Sequence, residues 1–187
     1  IPGSLVGSEM CIRDSYTITV ATTDVTATAL KAVDAATTVS VTVTDVTNIT
    51  GSRTDLADVY GGGFTDLGNE TITVSDQNIT AAQANTIDGY TSGAVTATIS
   101  TTAIADLDDL SGTGNAYTIT VADAQVTAAA LNTVNDATTV NVTANAVTTI
   151  TGTASQLTTT YGGGITGLGN EAVTISDTTV DAALLIT

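Results

Sequence analysis

Residues 16 to 187 repeat themselves at a fixed offset of 101 positions, with no insertion or deletion. Tyr16-Thr-Ile-Thr-Val20 returns as Tyr117-Thr-Ile-Thr-Val121, Tyr60-Gly-Gly-Gly63 as Tyr161-Gly-Gly-Gly164, and Leu67-Gly-Asn-Glu70 as Leu168-Gly-Asn-Glu171. A chain built by copying one unit buries each copy against its neighbour and works through an extended, repeated surface. The expectation is therefore a scaffold or binding array and not a catalyst. The copying divides the chain into block one, 16–116, and a truncated block two, 117–187.

Inside each block a shorter phrase recurs: an alternating strand, a polar link, an apolar residue followed by Thr, then a helix-like stretch. Strands are expected to begin near Thr17, Val39, Thr71, Ala94, Thr118, Val140 and Ala172. Their spacing is mostly close to 23 residues, and about 32 where the Tyr-Gly-Gly-Gly and Leu-Gly-Asn-Glu segments intervene. Ile18 and Val20, Val41 and Val43, Ile72 and Val74, Ile119 and Val121, and Val173 and Ile175 alternate with Thr or its neighbours, which gives one core face and one wet face. The helical part is clearest in Val126-Thr-Ala-Ala-Ala-Leu131-Asn-Thr-Val134, where Thr127 is placed to cap and Leu131 and Val134 share a face. Thr153-Ala-Ser-Gln156 has capping-box spacing, Ser52-Arg-Thr-Asp55 is a weaker version, and Leu30, Leu56, Leu107, Leu110, Leu131 and Leu157 read as buried anchors.

Strand followed by helix, repeated without a hairpin-length link, implies parallel strands. The expected fold is α/β: a right-handed solenoid of about seven coils, four in block one and three in block two, with one parallel strand and a short helix per coil. Stacked at roughly 4.8 Å, these make a rod a little over 30 Å long. A parallel β-helix is the alternative. The apolar spacing Ile72-x-Val74 with Ile79 is similar to leucine-rich repeats, but their Asn position holds Gln77, Thr178 or Ala124 here.

Ile1 to Ser15 stands apart, holding the only Pro, Cys and Met of the chain. Leu5-Val-Gly-Ser-Glu9 and Met10-Cys-Ile-Arg-Asp-Ser15 back-translate to codons that resemble a transposase-type sequencing adapter read in frame, so residues 1–15 are expected to be a non-native leader. The native part then has no cysteine, and with Thr187 aligning to Thr86 in mid-repeat, the chain reads as an internal fragment of a longer protein.

Without the leader, seventeen acidic residues (19 less Glu9 and Asp14) face two basic ones, Lys31 and Arg53. That balance argues against nucleic acid, which is bound through Lys and Arg, and against docking on an anionic membrane. No apolar run is long enough for membrane insertion.

Val-Thr-Ile-Ser-Asp177, Thr149-Ile-Thr-Gly-Thr153 and Ile165-Thr-Gly-Leu-Gly-Asn-Glu-Ala-Val173 look like the tandem repeats of very large secreted or surface proteins of aquatic bacteria, especially marine cyanobacteria. The resemblance covers 16 to 187 and implies an extracellular or cell-surface location and a role in adhesion, surface layers or motility.

Two sets of residues are candidate sites. Thr17 and Thr19, Thr42 and Thr44, Thr71 and Thr73, Thr96 and Thr98, and Thr118 and Thr120 are expected to stack into two hydroxyl columns, a lattice that resembles the ice-binding face of solenoid antifreeze proteins. The plain reading is that β-branched Thr suits exposed strand positions. Asp45, Asp76, Asp123 and Asp177 each follow a strand end, and Asp45 with Asp76 is the candidate Ca²⁺ pair, although solvated charge explains them as well. The Tyr-Gly-Gly-Gly segments lack the Lys and Ser/Thr of a phosphate loop and read as flexible excursions between coils. Asn48-Ile-Thr50, Asn69-Glu-Thr71, Asn78-Ile-Thr80 and Asn141-Val-Thr143 match glycosylation sequons by chance in so Thr-rich a chain.

With no His and two native basic residues, triads, imidazole metal sites and phosphoryl clamps are unavailable. The functional expectation is a non-catalytic structural or adhesive segment of an extracellular protein, without a cofactor unless it is calcium. Its partners are neighbouring repeats of the same chain, with cell-surface polysaccharide or ice as the external candidates.

Overall fold

The computed structural model describes residues 15–180. Along them run β1 (Asp24–Thr26), α1 (Ala27–Asp34), β2 (Val41–Thr42), β3 (Asn48–Gly51), α2 (Arg53–Tyr60), β4 (Phe64–Thr65), β5 (Thr71–Val74) and α3 (Ala81–Asp88). There follow β6 (Val95–Thr98), α4 (Ile104–Leu107), β7 (Ala116–Thr118), β8 (Gln125–Thr127) and α5 (Ala128–Asp136). Block two continues with β9 (Val142–Thr143), β10 (Thr149–Gly152), α6 (Ala154–Gly162), β11 (Ile165–Thr166) and β12 (Ala172–Ile175). The adapter-like leader lies outside the described residues apart from Ser15.

The class is α/β, and every strand pairing among the described residues is parallel. One sheet runs β1-β3-β5-β6-β7, a second β12-β10-β8, and two small ones join β2 to β4 and β9 to β11. Most partners within a block sit 23 or 24 residues apart, Val25 on Ile49, Ile49 on Ile72, Ile72 on Val95, Ile150 on Val126 and Val173, while Ile79 bridges Ile99 at a step of 20. Inward side chains from successive strands therefore form columns, and Ile49, Ile72, Val95 and Ile150 are all fully buried.

Two strand segments precede most helices, where the sequence pattern suggested one. Asn48-Ile-Thr-Gly51 and Gln125-Val-Thr127 carry a single inward apolar residue each, Ile49 and Val126, so they show no alternation to read. The expected starts at Val39 and Val140 also move inward to Val41 and Val142, leaving both valines exposed. At β12 the alternation holds but the burial does not: Val173 is 46% exposed while its counterpart Ile72 is buried. Ile72 has β3 and β6 on its two sides, whereas among the described residues β12 pairs with β10 alone.

The helices begin where the sequence places them. Thr26, Ser52, Thr80, Thr127 and Thr153 each accept a hydrogen bond from the third amide of the helix that follows, and Thr80 with Gln83 and Thr153 with Gln156 close full capping boxes. All six leucine anchors are buried. Consecutive helices are tied laterally. In block one Lys31 Nζ meets Asp55 at 2.7 Å and Asp58 at 2.6 Å. In block two the corresponding Asn132 donates to the carbonyl of Gln156 at 3.1 Å.

Glycine permits a close approach where β3 passes α1. A Cβ on Gly51 would stand 2.5 Å from Ala27 Cβ, and one on Gly152 2.7 Å from Ala128 Cβ. Gly51→Ala should therefore cost about 1–2 kcal/mol in urea unfolding, because neither neighbour is a flexible side chain. Gly162→Ala, with nothing within 4 Å, is the control that should be neutral. Equal effects of the two substitutions would show that the approach is looser than described.

Candidate functional site

The strand pairing sorts the candidate threonines into several columns. Thr19 bridges Thr42, and Thr42 pairs with Thr65, whose hydroxyls lie 3.4 Å apart. Thr73 pairs with Thr96 in the large sheet, Thr98 pairs with Thr118, and Thr120 bridges Thr143. Thr71 lies beside Asn48, accepts no Thr neighbour in register, and donates to Asn48 Oδ1 at 3.1 Å. Thr44 sits past the end of β2 and donates to Asp66 at 2.9 Å, and Thr17 lies outside the regular strands. The ten residues thus fall in separate ladders or outside the strands.

The longest threonine column includes two residues that sequence reasoning left out. Thr26, Thr50, Thr73 and Thr96 are consecutive register partners through β1, β3, β5 and β6. Val25-Thr26 and Ile49-Thr50 are the apolar-Thr pairs that precede the helices in the sequence phrase, and their recurrence is the signal that they form strands. The column stops at Ala116, the partner of Thr96 in β7.

Three of the four recurrent aspartates have a common structural role. Asp76 accepts the Arg53 amide hydrogen at 2.5 Å, Asp123 that of Ile104 at 2.6 Å, and Asp177 that of Ala154 at 2.6 Å. Each carboxyl comes from a neighbouring segment and meets the first residue of a helix, where amides have no partner within the helix and the dipole favours negative charge. Asp45 follows β2 and Asp76 follows β5, strands of different sheets, so pairing does not make them neighbours in one ladder.

The Tyr-Gly-Gly-Gly segments each bring a tyrosine onto a glutamate ten residues on. Tyr60 ends α2, Gly61 caps it, and the chain enters β4 at Phe64. The Tyr60 hydroxyl donates to Glu70 at 3.0 Å, the Gly68 amide donates to the same carboxyl at 2.9 Å, and the Glu70 side chain is fully buried. Tyr60 also stacks on Tyr90, with ring centroids 5.0 Å apart. Gly93 must lack a side chain, because its Cβ would fall 2.3 Å from the Glu70 carbonyl oxygen. In block two the Tyr161 hydroxyl meets Glu171, which the Gly169 amide also donates to at 2.7 Å, but Tyr161 is 46% exposed. Burial, then the neighbouring carboxyl group, pushes the Tyr161 phenol up to about 12, and the same causes raise Tyr60 further.

Two open depressions flank the helix ends. One, about 300 Å³, gathers Asp34, Thr37 and Ser40; the other, about 400 Å³, gathers Thr80, Thr101, Asp106 and Asp109. Both offer oxygen atoms without a basic side chain in their lining. Among the described residues no helix is long and apolar enough to cross a membrane. Comparison with protein-family models, with curated proteins and with solved structures yields no match.

Proposed function

We propose that the chain is a structural or adhesive segment of an extracellular, surface-attached repeat protein, built as an acidic right-handed solenoid and working without catalysis or a cofactor. The observation that carries this reading is the recurrent step between parallel partners within each block, 23 or 24 residues at every paired strand and 20 at the Ile79–Ile99 bridge. Such a step is one turn of the chain, and a strand–helix–strand turn with parallel strands is right-handed in nearly all cases. Stability then comes from nearest-neighbour stacking, as in other one-dimensional folds, and length can grow without a change of design. The composition supports a non-catalytic role, since the repeated part lacks His and has two basic residues. Chains with more turns should melt at higher temperature. A melting temperature independent of the number of turns overturns the proposal.

A second reading, ice binding, is favoured by the register of Thr26, Thr50, Thr73 and Thr96. It expects the protein to show thermal hysteresis, and expects Thr19→Lys, Thr73→Lys and Thr120→Lys together to abolish it with the circular dichroism spectrum intact. A parent protein without hysteresis ends that reading. Cell-surface polysaccharide is the partner expected under the first.

A further inference from the structure

The two blocks share one sequence pattern 101 residues apart, yet they do not occupy the same place across the strand ladders. In block one Thr19, in the Tyr-Thr-Ile-Thr-Val segment, bridges Thr42 of β2, which belongs to the two-stranded sheet. Its block-two copy begins in β7, and β7 closes the five-stranded sheet by pairing with β6, which pairs with β5. The first ladder of block two therefore grows on the second ladder of block one. The backbone bonds across the junction agree: the Ile99 amide donates to Thr118 at 3.0 Å, and the Ala122 amide donates to Thr102 at 2.9 Å.

The register gives the size of the displacement. Steps of 24, 23, 23 and 20 residues lead from Thr26 through Thr50, Thr73 and Thr96 to Ala116. The sequence counterpart of Thr26 is Thr127, eleven residues beyond Ala116. One block is thus four turns plus eleven residues, the length of one strand and its link to the next. Between Ile79 and Ile99 the step is also 20, so the three residues lost at the junction are lost at one place in the chain, the segment between β5 and α3.

From this we infer that successive 101-residue blocks are rotated about the long axis by one strand place, so that equivalent faces of tandem blocks point in different directions. The inference rests on the solenoid reading given above. The threonine column of block one, Thr26 to Thr96, ends at Ala116, and its copy, Thr127-Thr151-Thr174, runs on a different side. A planar partner meets the columns of one block at a time, whereas a three-dimensional network such as a polysaccharide matrix meets every block. The array suits multivalent attachment within a network.

Long-range amide-to-carbonyl couplings in an isotope-labelled sample of the full chain test this directly. Couplings from Ser75 to Gly51 and from Ser176 to Gly152 report the turns inside each block, and those from Ile99 to Thr118 and Ala122 to Thr102 report the junction. All four are expected. If the first two appear while Tyr117 to Val121 shows contacts to the end of the Thr19-Thr42-Thr65 ladder, the rotation is wrong and the solenoid stands. If the first two are absent, the solenoid reading itself fails.

Discussion

Tyr60→Phe should lower the unfolding free energy by about 2–3 kcal/mol, while Tyr161→Phe should change it by less than about 0.5 kcal/mol. The two tyrosines are counterparts 101 residues apart, and each donates its hydroxyl to a glutamate ten residues on. Their surroundings differ. The Glu70 side chain is fully buried between the end of α2 and the strand that follows, and its remaining partner would be the Gly68 amide. A buried acceptor without its donor retains the whole cost of leaving water. Around Tyr161, which is 46% exposed, solvent replaces the lost hydroxyl. The phenylalanine ring keeps the stack on Tyr90, so the difference isolates the hydrogen bond. Equal losses in paired urea titrations would show that position in the array does not decide the strength of the closure.

Much of this was legible in the residues, and what was missed has physical causes. Thr127 and Thr153 announced their helices because a cap depends on residues three apart in sequence. The burial of Leu30, Leu56, Leu131 and Leu157 followed from helical spacing for the same reason. Strands Asn48–Gly51 and Gln125–Thr127 escaped because a strand with one inward side chain has no period, and its existence is decided by a neighbour 23 or 24 residues away. The aspartates recur in the sequence, but their role depends on a helix start 19 to 23 residues away, which local sequence does not contain. The single threonine lattice requires one strand before each helix, whereas two strand segments precede most helices and Thr42 and Thr73 belong to different sheets. The Tyr60–Glu70 closure was the one long feature with a sequence signal that went unused, since both halves return together at the same separation of ten residues in each block.

The second large effect is expected in alkali. Burial first, and then a nearby carboxyl group, raises the phenols of Tyr60, Tyr117 and Tyr161 above the ordinary value near 10. A phenol whose pKa is higher in the folded chain stabilises the fold fully below the unfolded value, and that contribution is lost as the pH rises through the unfolded value toward the folded one. The stability of this protein should therefore begin to fall above about pH 10. Tyr161, the most exposed of the three, should ionise first, near 12. Tyr60 and Tyr117 should ionise only as the chain opens, because the Tyr60 hydroxyl is held on the buried Glu70 carboxyl and the Tyr117 ring is fully buried with no hydrogen-bond partner for its hydroxyl among the described residues. Near-ultraviolet phenolate absorbance followed together with far-ultraviolet circular dichroism checks this in one titration. The late absorbance step should coincide with loss of the helical signal, and in Tyr117→Phe it should lose amplitude. A single step centred near pH 10 with unchanged circular dichroism would mean that the tyrosines on either side of the block junction are open to water, and that the packing which joins one block to the next is not as described.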